Sequence, residues 1–511
     1  MSETSIPNLV AQIEQHAPGE TLPTVPVLNP FTGKRIFELP QLSAEQVGRA
    51  AETARAASAE WAATPVSVRA GILLKIHDVL LANQDKLLDV LQLETGKSRA
   101  HAFEEFSGTI QGARYYGKVS PKLLRRTKTR AGVPGLTKTW VERVPVGLVG
   151  IVTPWNYPMA LTALDVFPAL AAGNSVLQKA DNQTALSVLI LRQFAISAGL
   201  PEGVWQIVTG DGQEVGNAVT DLVDYMAFTG STATGRRVYE RAAARLIGVS
   251  LELGGKNPMI VLPGAKPKRA AAIAIGGAFG SAGQLCVSIE RVYVHESIFD
   301  DFVAELAKQT EALTVGKSSK FDFDLGTLIS KAQLDRVNGL VEEAKQDGAH
   351  VIAGGQPLPE VGPFAYAPTV LTDLPAKTRM FRQEAFGPIL AVSPYSEIED
   401  AIAAANDTEY GLNAAVVGPT REAIAVARQL HAGSVNVNEG YRASFASMDS
   451  PMGGMKASGI GRRNGAVGLQ RFTLAKTIGV ASSALKLPNN AREWRRMQPA
   501  FKVLLKIFRW F

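Results

Sequence analysis

Apolar residues recur at three- and four-residue steps through residues 43–118, in SAEQVGRAAETARAASAEW and again in VRAGILLKIHDVLLANQDKLLDVLQLETGK. That period predicts a run of amphipathic helices. Residues 121–143 break it: the stretch is basic, with Pro and Gly at its middle, and predicts two extended segments around a turn. From Pro145 onwards short apolar runs alternate with helical patterns. VGLVGIVTP, SVLQK, VWQIVTG, YMAFTG and VSLEL read as strands, with helices between them through LDVFPALAAG, TALSVLILRQFAISAG and from Gln213 and Ser231. This alternation predicts an α/β fold with a parallel, doubly wound sheet. A second α/β series follows Asn257, with PMIVLP, a small-residue helix, RVYVHES and FDDFVAELAKQTEALTV, and continues to about Gly433. The expected boundary between the two lies near Gly254–Gly255.

Composition narrows the class. A chain of 511 residues exceeds what one hydrophobic core organises, so two or three domains are expected. A single cysteine excludes an internal disulfide framework and points to a reducing compartment. The N-terminus lacks a basic segment followed by an apolar one, so a cytoplasmic, soluble protein without a signal peptide is expected. The six histidines are scattered, none at metal-ligand spacing from another or from Cys286, so no metal site is expected. Residues 486–511 hold seven basic residues and one acidic, which accounts for the whole net charge of +6. The body is therefore neutral, and the charge does not argue for nucleic-acid binding. Between Arg269 and Glu290 no residue is charged, but Ala and Gly dominate, which favours a buried helix over a membrane span.

Four short segments carry candidate chemistry. FTGSTATG (Phe228–Gly235) follows a strand and opens a helix, so Gly230 and Ser231 would offer backbone N–H groups and the helix dipole to a pyrophosphate; an ordinary βα turn is the plain alternative, as it is for GDGQEVG (Gly210–Gly216). LELGGKNP sets Glu252 at the end of an apolar strand, where desolvation would suit a general base; an exposed strand-end glutamate is the plain alternative. GQLC places Cys286 at the end of the uncharged helix, as a nucleophile or a small buried hydrophobe. TPWNYP leaves Asn156 at a strand end, as an oxyanion donor or a turn-capping residue.

Taken in order, these motifs resemble the aldehyde dehydrogenase superfamily along nearly the whole chain. NPFTG (Asn29–Gly33), QEAFGPI (Gln383–Ile389) and PMGGMKASGIGR (Pro451–Arg462) add to the resemblance, as does the separation of Glu252 from Cys286. The resemblance implies Cys286 as nucleophile, Asn156 and the Cys286 N–H as oxyanion donors, and Glu252 as the base for thioester hydrolysis. It also implies NADP or NAD contacts at Thr153, Pro154, Trp155, Lys179, Asn182, Gly212, Gly230, Ser231, Leu253, Glu384 and Phe386. The implied organisation is a dinucleotide-binding domain over 1–120 and 144–253 and a catalytic domain over 254–465. Residues 121–143 and 466–485 would form an oligomerisation element of a homodimer or homotetramer, and 486–511 a basic tail. The retained Glu252 favours release of a free acid over transfer to coenzyme A.

Two departures bear on specificity. The family segment Lys-Pro-small-Glu here reads Lys179-Ala180-Asp181-Asn182, and neutral Asn182 removes a repulsion towards a 2′-phosphate, so NADP is expected to be accepted alongside NAD. Well-known succinate-semialdehyde dehydrogenases carry an arginine where this chain has Leu164 and a lysine where it has Asp165. Arg442 and Ser444 are the candidates to hold a substrate carboxylate instead, and the chain still resembles a second succinate-semialdehyde dehydrogenase subgroup. The alternative is a longer aliphatic or aromatic aldehyde in a tunnel lined by Met159, Leu164 and Phe445. At the C-terminus, AFKVLLKIFRWF predicts a helix with Pro499 in its first turn and Lys502, Lys506 and Arg509 in one stripe. Its apolar residues, Trp510 and Phe511 among them, either pack on protein or meet an anionic membrane surface.

Overall fold

The computed structural model describes residues 5–132, 136–482, 486 and 488–509. It divides into two units, Met1–Leu123 with Pro145–Thr473, and Leu124–Val144 with Leu474–Phe511. In the first, the helical period at 43–118 is realised as Ala44–Ala63, Val66–Ala82, Gln84–Thr95 and Arg99–Leu123. Ser43 starts the series with a capping box: its hydroxyl accepts from Gln46 N–H, while the Gln46 side chain accepts from Ser43 N–H.

The alternating segment builds a six-stranded sheet in the order Gly459–Ile460, Gly248–Glu252, Tyr225–Thr229, Leu148–Val152, Ser175–Lys179, Trp205–Val208. Its last five strands run parallel, and only Gly459–Ile460 is antiparallel. Every residue of Ser175–Lys179 and of Tyr225–Thr229 is buried, which explains why these strands read as continuous runs without polar alternation. The second series forms a seven-stranded sheet in the order His350–Ala353, Thr369–Thr372, Ile389–Tyr395, Ile289–His295, Asn257–Val261, Asn413–Val417, Ser434–Val437. These are the α/β sheets the alternation predicts. The strands Thr24–Leu28 and Arg35–Pro40 pair around NPFTG, where Asn29 Oδ1 accepts from Phe31 N–H and Gly33 takes φ +68°.

One element differs from expectation. The uncharged stretch is α-helical only over Pro267–Ala278. Ser281, Ala282 and Gly283 follow with φ of 51°, 53° and 70°, so GQLC lies in a loop after the helix and not at its end. At the end of this turn a Cβ on Gly283 would stand 2.0 Å from the carbonyl oxygen of Gly387, so the position requires glycine.

In the second unit, the two extended segments predicted at 121–143 are Thr127–Thr129 and Thr137–Pro145, antiparallel, with Thr473–Ala481 on the other side of Thr137–Pro145. The tail helix spans Ala491–Phe508, so Pro499 lies inside it and not in the first turn. The true start is Asn490, whose side chain accepts from Glu493 N–H at 3.0 Å, while Glu493 accepts from Asn489 and Asn490. Trp510 and Phe511 lie outside the described residues.

Candidate active site

Parallel strands bring their C-terminal ends to one edge of the six-stranded sheet. Val152 pairs with Lys179 and with Phe228, and Thr229 pairs with Glu252, so Thr153, Lys179, Gly230 and Glu252 follow or end neighbouring strands. Such an edge is where α/β sheets form their binding crevices. A cavity of about 250 Å³ lies here, lined by Pro154, Trp155, Asn156, Gly230, Ser231, Glu252, Leu253, Cys286, Glu384 and Phe386 from the sequence-derived set. Thr229, Gly254, Gln333 and Arg336 complete the lining.

The loop that presents Cys286 is held from both sides. Gln284 accepts from Ile329 N–H at 3.0 Å, and its carbonyl accepts from Asn156 Nδ2 at 3.0 Å. Asn257 Nδ2 donates to the carbonyls of Cys286 and Ser288, both at 2.7 Å. Sequence reasoning missed Asn257; its position directly after Gly-Gly-Lys, at the start of a buried strand, was the available signal. Asn156 is itself fixed from behind. Glu105 accepts from Met159 N–H at 2.8 Å and caps the helix Pro158–Ala171, and Lys97 pairs with Glu105 while lying 3.5 Å from the Tyr157 ring centroid. Burial, with the fields of Glu384 and Glu252, pushes the Cys286 thiol up to about 12.

Glu252 is buried, and its Oε1 has no hydrogen-bond partner. Burial pushes its carboxyl up to about 7, against the opposing charges of Arg463 and Arg471. Those arginines meet at Asp165. Arg463 Nε donates to Asp165 Oδ1 at 2.9 Å, Arg463 also reaches Asp165 Oδ2 and Thr229, and Arg471 reaches Asp165 Oδ1 and Ser250. Burial alone would raise the Asp165 carboxyl, but the two guanidiniums outweigh it and hold it below the usual range. Three buried charges in contact survive only as a set: losing one partner costs on the order of 3–5 kcal/mol.

The opposite wall is the segment Glu384–Phe386. Buried Glu290 accepts from Ala385 N–H and Phe386 N–H, and pairs with Lys256 at 2.6 Å. Gln333 holds the Phe386 carbonyl at 2.6 Å, and Phe386, at φ +52°, stands edge-on to Trp155 with centroids 5.4 Å apart. Glu384 accepts from Gly255 N–H at 2.9 Å; burial, with Glu290 nearby, pushes its carboxyl up to about 8. A Cβ on Gly254 would lie 2.6 Å from Glu384 Oε2, so a side chain there would push the Glu384 carboxylate aside.

The remaining candidates lie outside that lining. Lys179 is buried, and among the described residues no hydrogen bond or ion pair engages its ammonium; burial lowers its proton affinity, with Asp181 and Asp211 opposing. Thr153 Oγ1 accepts from Gln178. Asn182 donates to Gln41 at 2.8 Å and accepts from Gly210 N–H at 3.2 Å, and Gly212 is exposed with open space around it. Arg442 pairs with Glu104 at 3.0 Å and lies 3.8 Å from Glu439, lining a separate cavity with His101 and Phe279. Ser444 is bonded to Asn436 and to the Tyr441 carbonyl. An apolar cluster beside Cys286 contains Leu161, Leu164, Leu285, Met448 and Phe445, while Met159 is buried outside it. Among the described residues no group of three or more His, Cys, Asp or Glu side chains is placed to hold a metal ion.

Comparison with known proteins agrees with this geometry. The description "Aldehyde dehydrogenase family" matches residues 16–478. A Mycolicibacterium smegmatis protein named "Putative succinate-semialdehyde dehydrogenase (NADP(+))" is 46% identical over 457 residues, 89% of this chain and 88% of that one. The "Alpha-ketoglutarate semialdehyde dehydrogenase" of Haloferax volcanii is 37% identical over 473 residues, 90% of this chain and 96% of that one. A crystal structure of an "E. coli NADP dependent enzyme" superposes with a TM-score of 0.86 at 32% identity, covering 90% of this chain and 95% of that one. The chain belongs to the aldehyde dehydrogenase family.

Proposed function

We propose that this enzyme oxidises succinate semialdehyde to succinate with NADP, through a thioester on Cys286. The observation that carries the reading is one cavity walled by Cys286, Asn156 and a buried Glu252 with an unpartnered carboxylate oxygen. The thiol is neutral at rest, so it must pass its proton to solvent as it attacks. Sγ bonds to the carbonyl carbon, and the resulting oxyanion takes hydrogen bonds from Asn156 Nδ2 and the Cys286 N–H. Bound NADP supplies the hydride acceptor that turns this adduct into a thioester. Glu252 then takes a proton from water, the hydroxide oxygen bonds to the acyl carbon, the C–S bond breaks, and the departing Sγ takes that proton from Glu252, leaving acid and free Cys286.

The chain fits a dinucleotide. The first N–H groups of the helix Thr232–Ala244 lack intrahelical acceptors, with Gly230 and Ser231 leading into it, and the Lys179 ammonium is buried without a bonded partner among the described residues. Lys179 and Ser231 would hold phosphate and ribose, and Glu384 the nicotinamide ribose. Phe386 would pack beside the ring, and Thr153, Pro154, Trp155, Leu253 and Gly212 would line the path. Asn182 offers no carboxylate against a 2′-phosphate. Asn182→Glu should lower kcat/KM for NADP about tenfold or more relative to NAD, by charge repulsion at short range. An unaltered ratio would remove Asn182 from the ribose.

The names of the relatives support an acid-bearing semialdehyde. Arg442, with Ser444, is the group proposed to receive its carboxylate, in competition with Glu104. A second reading, a longer aliphatic or aromatic aldehyde, is favoured by the apolar cluster of Leu161, Leu164 and Phe445 beside Cys286. Initial rates of reduced-cofactor formation across a panel of aldehydes decide between them. The first reading expects succinate semialdehyde to give the highest kcat/KM, and the second fits a panel led by hexanal or benzaldehyde.

We further propose a cytoplasmic homodimer or homotetramer, supported by the lone cysteine and by the three-stranded sheet of Thr127–Thr129, Thr137–Pro145 and Thr473–Ala481. The residues 1–120 with 144–253 would serve the dinucleotide, and 254–465 the nucleophile.

A further inference from the structure

The helix Ala491–Phe508 lies beyond the family match, which stops at residue 478, and the chemistry above makes no use of it. At 3.6 residues per turn, Arg492, Arg495, Arg496, Lys502, Lys506 and the capping Arg509 fall within an arc of about 140°. Trp494, Met497, Phe501, Leu504, Leu505 and Ile507 occupy the facing arc, which also holds the capping Glu493 in the first turn, and Val503 is the one large apolar residue among the cations. The start at Asn490 matters here, because the first two turns add three arginines to one face and Trp494 and Met497 to the other. Trp494 and Phe501, two turns apart, pack with ring planes tilted by 42° and centroids 5.6 Å apart. Trp494 is 50% exposed, Leu505 65% and Ile507 47%. Pro499 falls on the basic side and has no N–H to donate to the carbonyl of Arg495.

We propose that this helix is a peripheral docking element for an anionic lipid bilayer, lying in the plane of the interface with its apolar arc among the acyl chains and its cations at the headgroups. The charge pattern selects that partner. A helix whose polar side merely faces solvent mixes both signs; this one carries six cations and a single acid, Glu493, which is engaged in capping. The remainder of the chain carries a net charge of only +1, so the helix has no net counter-charge on its own body. Nucleic acid would satisfy the cations and leave the apolar arc in water, whereas a lipid surface satisfies both arcs. Long Lys and Arg stems at the edges can lie over the apolar region with their charges at the headgroups. Among the described residues no helix is long and apolar enough to cross a membrane, which agrees with an in-plane orientation.

Sedimentation of the full chain with vesicles tests this. Phosphatidylcholine vesicles with about 30% phosphatidylglycerol should bind it at least about tenfold more tightly than phosphatidylcholine alone, and salt should weaken the binding. Leu505→Asp, placed in the apolar arc and far from the chemistry, should lower binding about tenfold or more without changing kcat or particle mass. A chain ending at Pro488 should lose binding and keep both. The proposal is overturned if the intact chain ignores anionic vesicles at low salt, or if Leu505→Asp binds as the parent does, since attraction would then not involve the apolar arc. It is also overturned if either variant changes particle mass or kcat, since the arc would then be a subunit contact or a packing element.

Discussion

Cys286→Ser should reduce turnover by on the order of 10⁴–10⁶-fold, the scale on which loss of an enzyme's nucleophile is felt. The chain has no other cysteine to take over. Serine keeps the size of the side chain, so the loop held by Asn257, Gln284 and Asn156 should persist, and with it the cavity. What is lost is reactivity. A hydroxyl is a much harder proton donor than a thiol, and the site already opposes ionisation: burial and two carboxylates push even the thiol up to about 12. The cofactor contacts proposed at Lys179, Ser231 and Glu384 are untouched, so dissociation constants for NADP should stay within about twofold, the scale of a surface-neutral change. Steady-state rates and a fluorescence titration with NADP read the two quantities separately. Retention of parental kcat would remove Cys286 from the mechanism, and loss of cofactor binding together with turnover would show that the substitution had collapsed the site.

The parts of this site that were legible in the sequence are those where one residue type at one local position has a physical meaning. Glu252 before two glycines, Gly230-Ser231 at a strand-to-helix turn and Cys286 after Gly-Gln are such positions, and all of them line one cavity. The fold was legible for the same reason: buried parallel strands are short apolar runs, and helices between them keep their period. The supporting contacts were not. Asp165 and Arg463 are 298 positions apart, and nothing local to either marks them as partners. In the sequence Asp165 registers only as a missing lysine; in the structure it is the anion that joins two arginines beside Glu252. Asn182 registers as a missing carboxylate, whereas its amide is engaged by Gln41 and Gly210. The end of the helix is hidden in the sequence because small residues continue through Ser281-Ala282-Gly283, where the backbone takes positive φ. Pro499 was misread as a start signal because the actual cap, Asn490 with Glu493, lies nine residues earlier.

Glu252→Gln should separate the two halves of the reaction. Glutamine keeps the shape of the side chain but cannot take a proton, so attack by water on the thioester should slow by about 10²–10⁴-fold, the usual worth of a general base. Hydride loss needs no water, so mixing should still give a burst of reduced cofactor close to one equivalent per active site, followed by a near stall. Cys286 should then carry the acyl group, visible by mass spectrometry as an added mass on the peptide that contains it. The pH dependence supplies an independent check. Burial raises the Glu252 carboxyl to about 7, so below that pH it is protonated and cannot accept a proton from water, while above it the carboxylate is present. Hydrolysis by the parent enzyme should therefore rise with pH through about 7 and level off, and this limb should be missing in the glutamine variant. Arg463 and Arg471 hold the midpoint down against burial, so weakening their field should move the limb to higher pH. If the glutamine variant turns over at the parental rate, keeps the pH limb and accumulates no acyl-enzyme, another group activates the water, and the unpartnered oxygen of Glu252 has some other purpose.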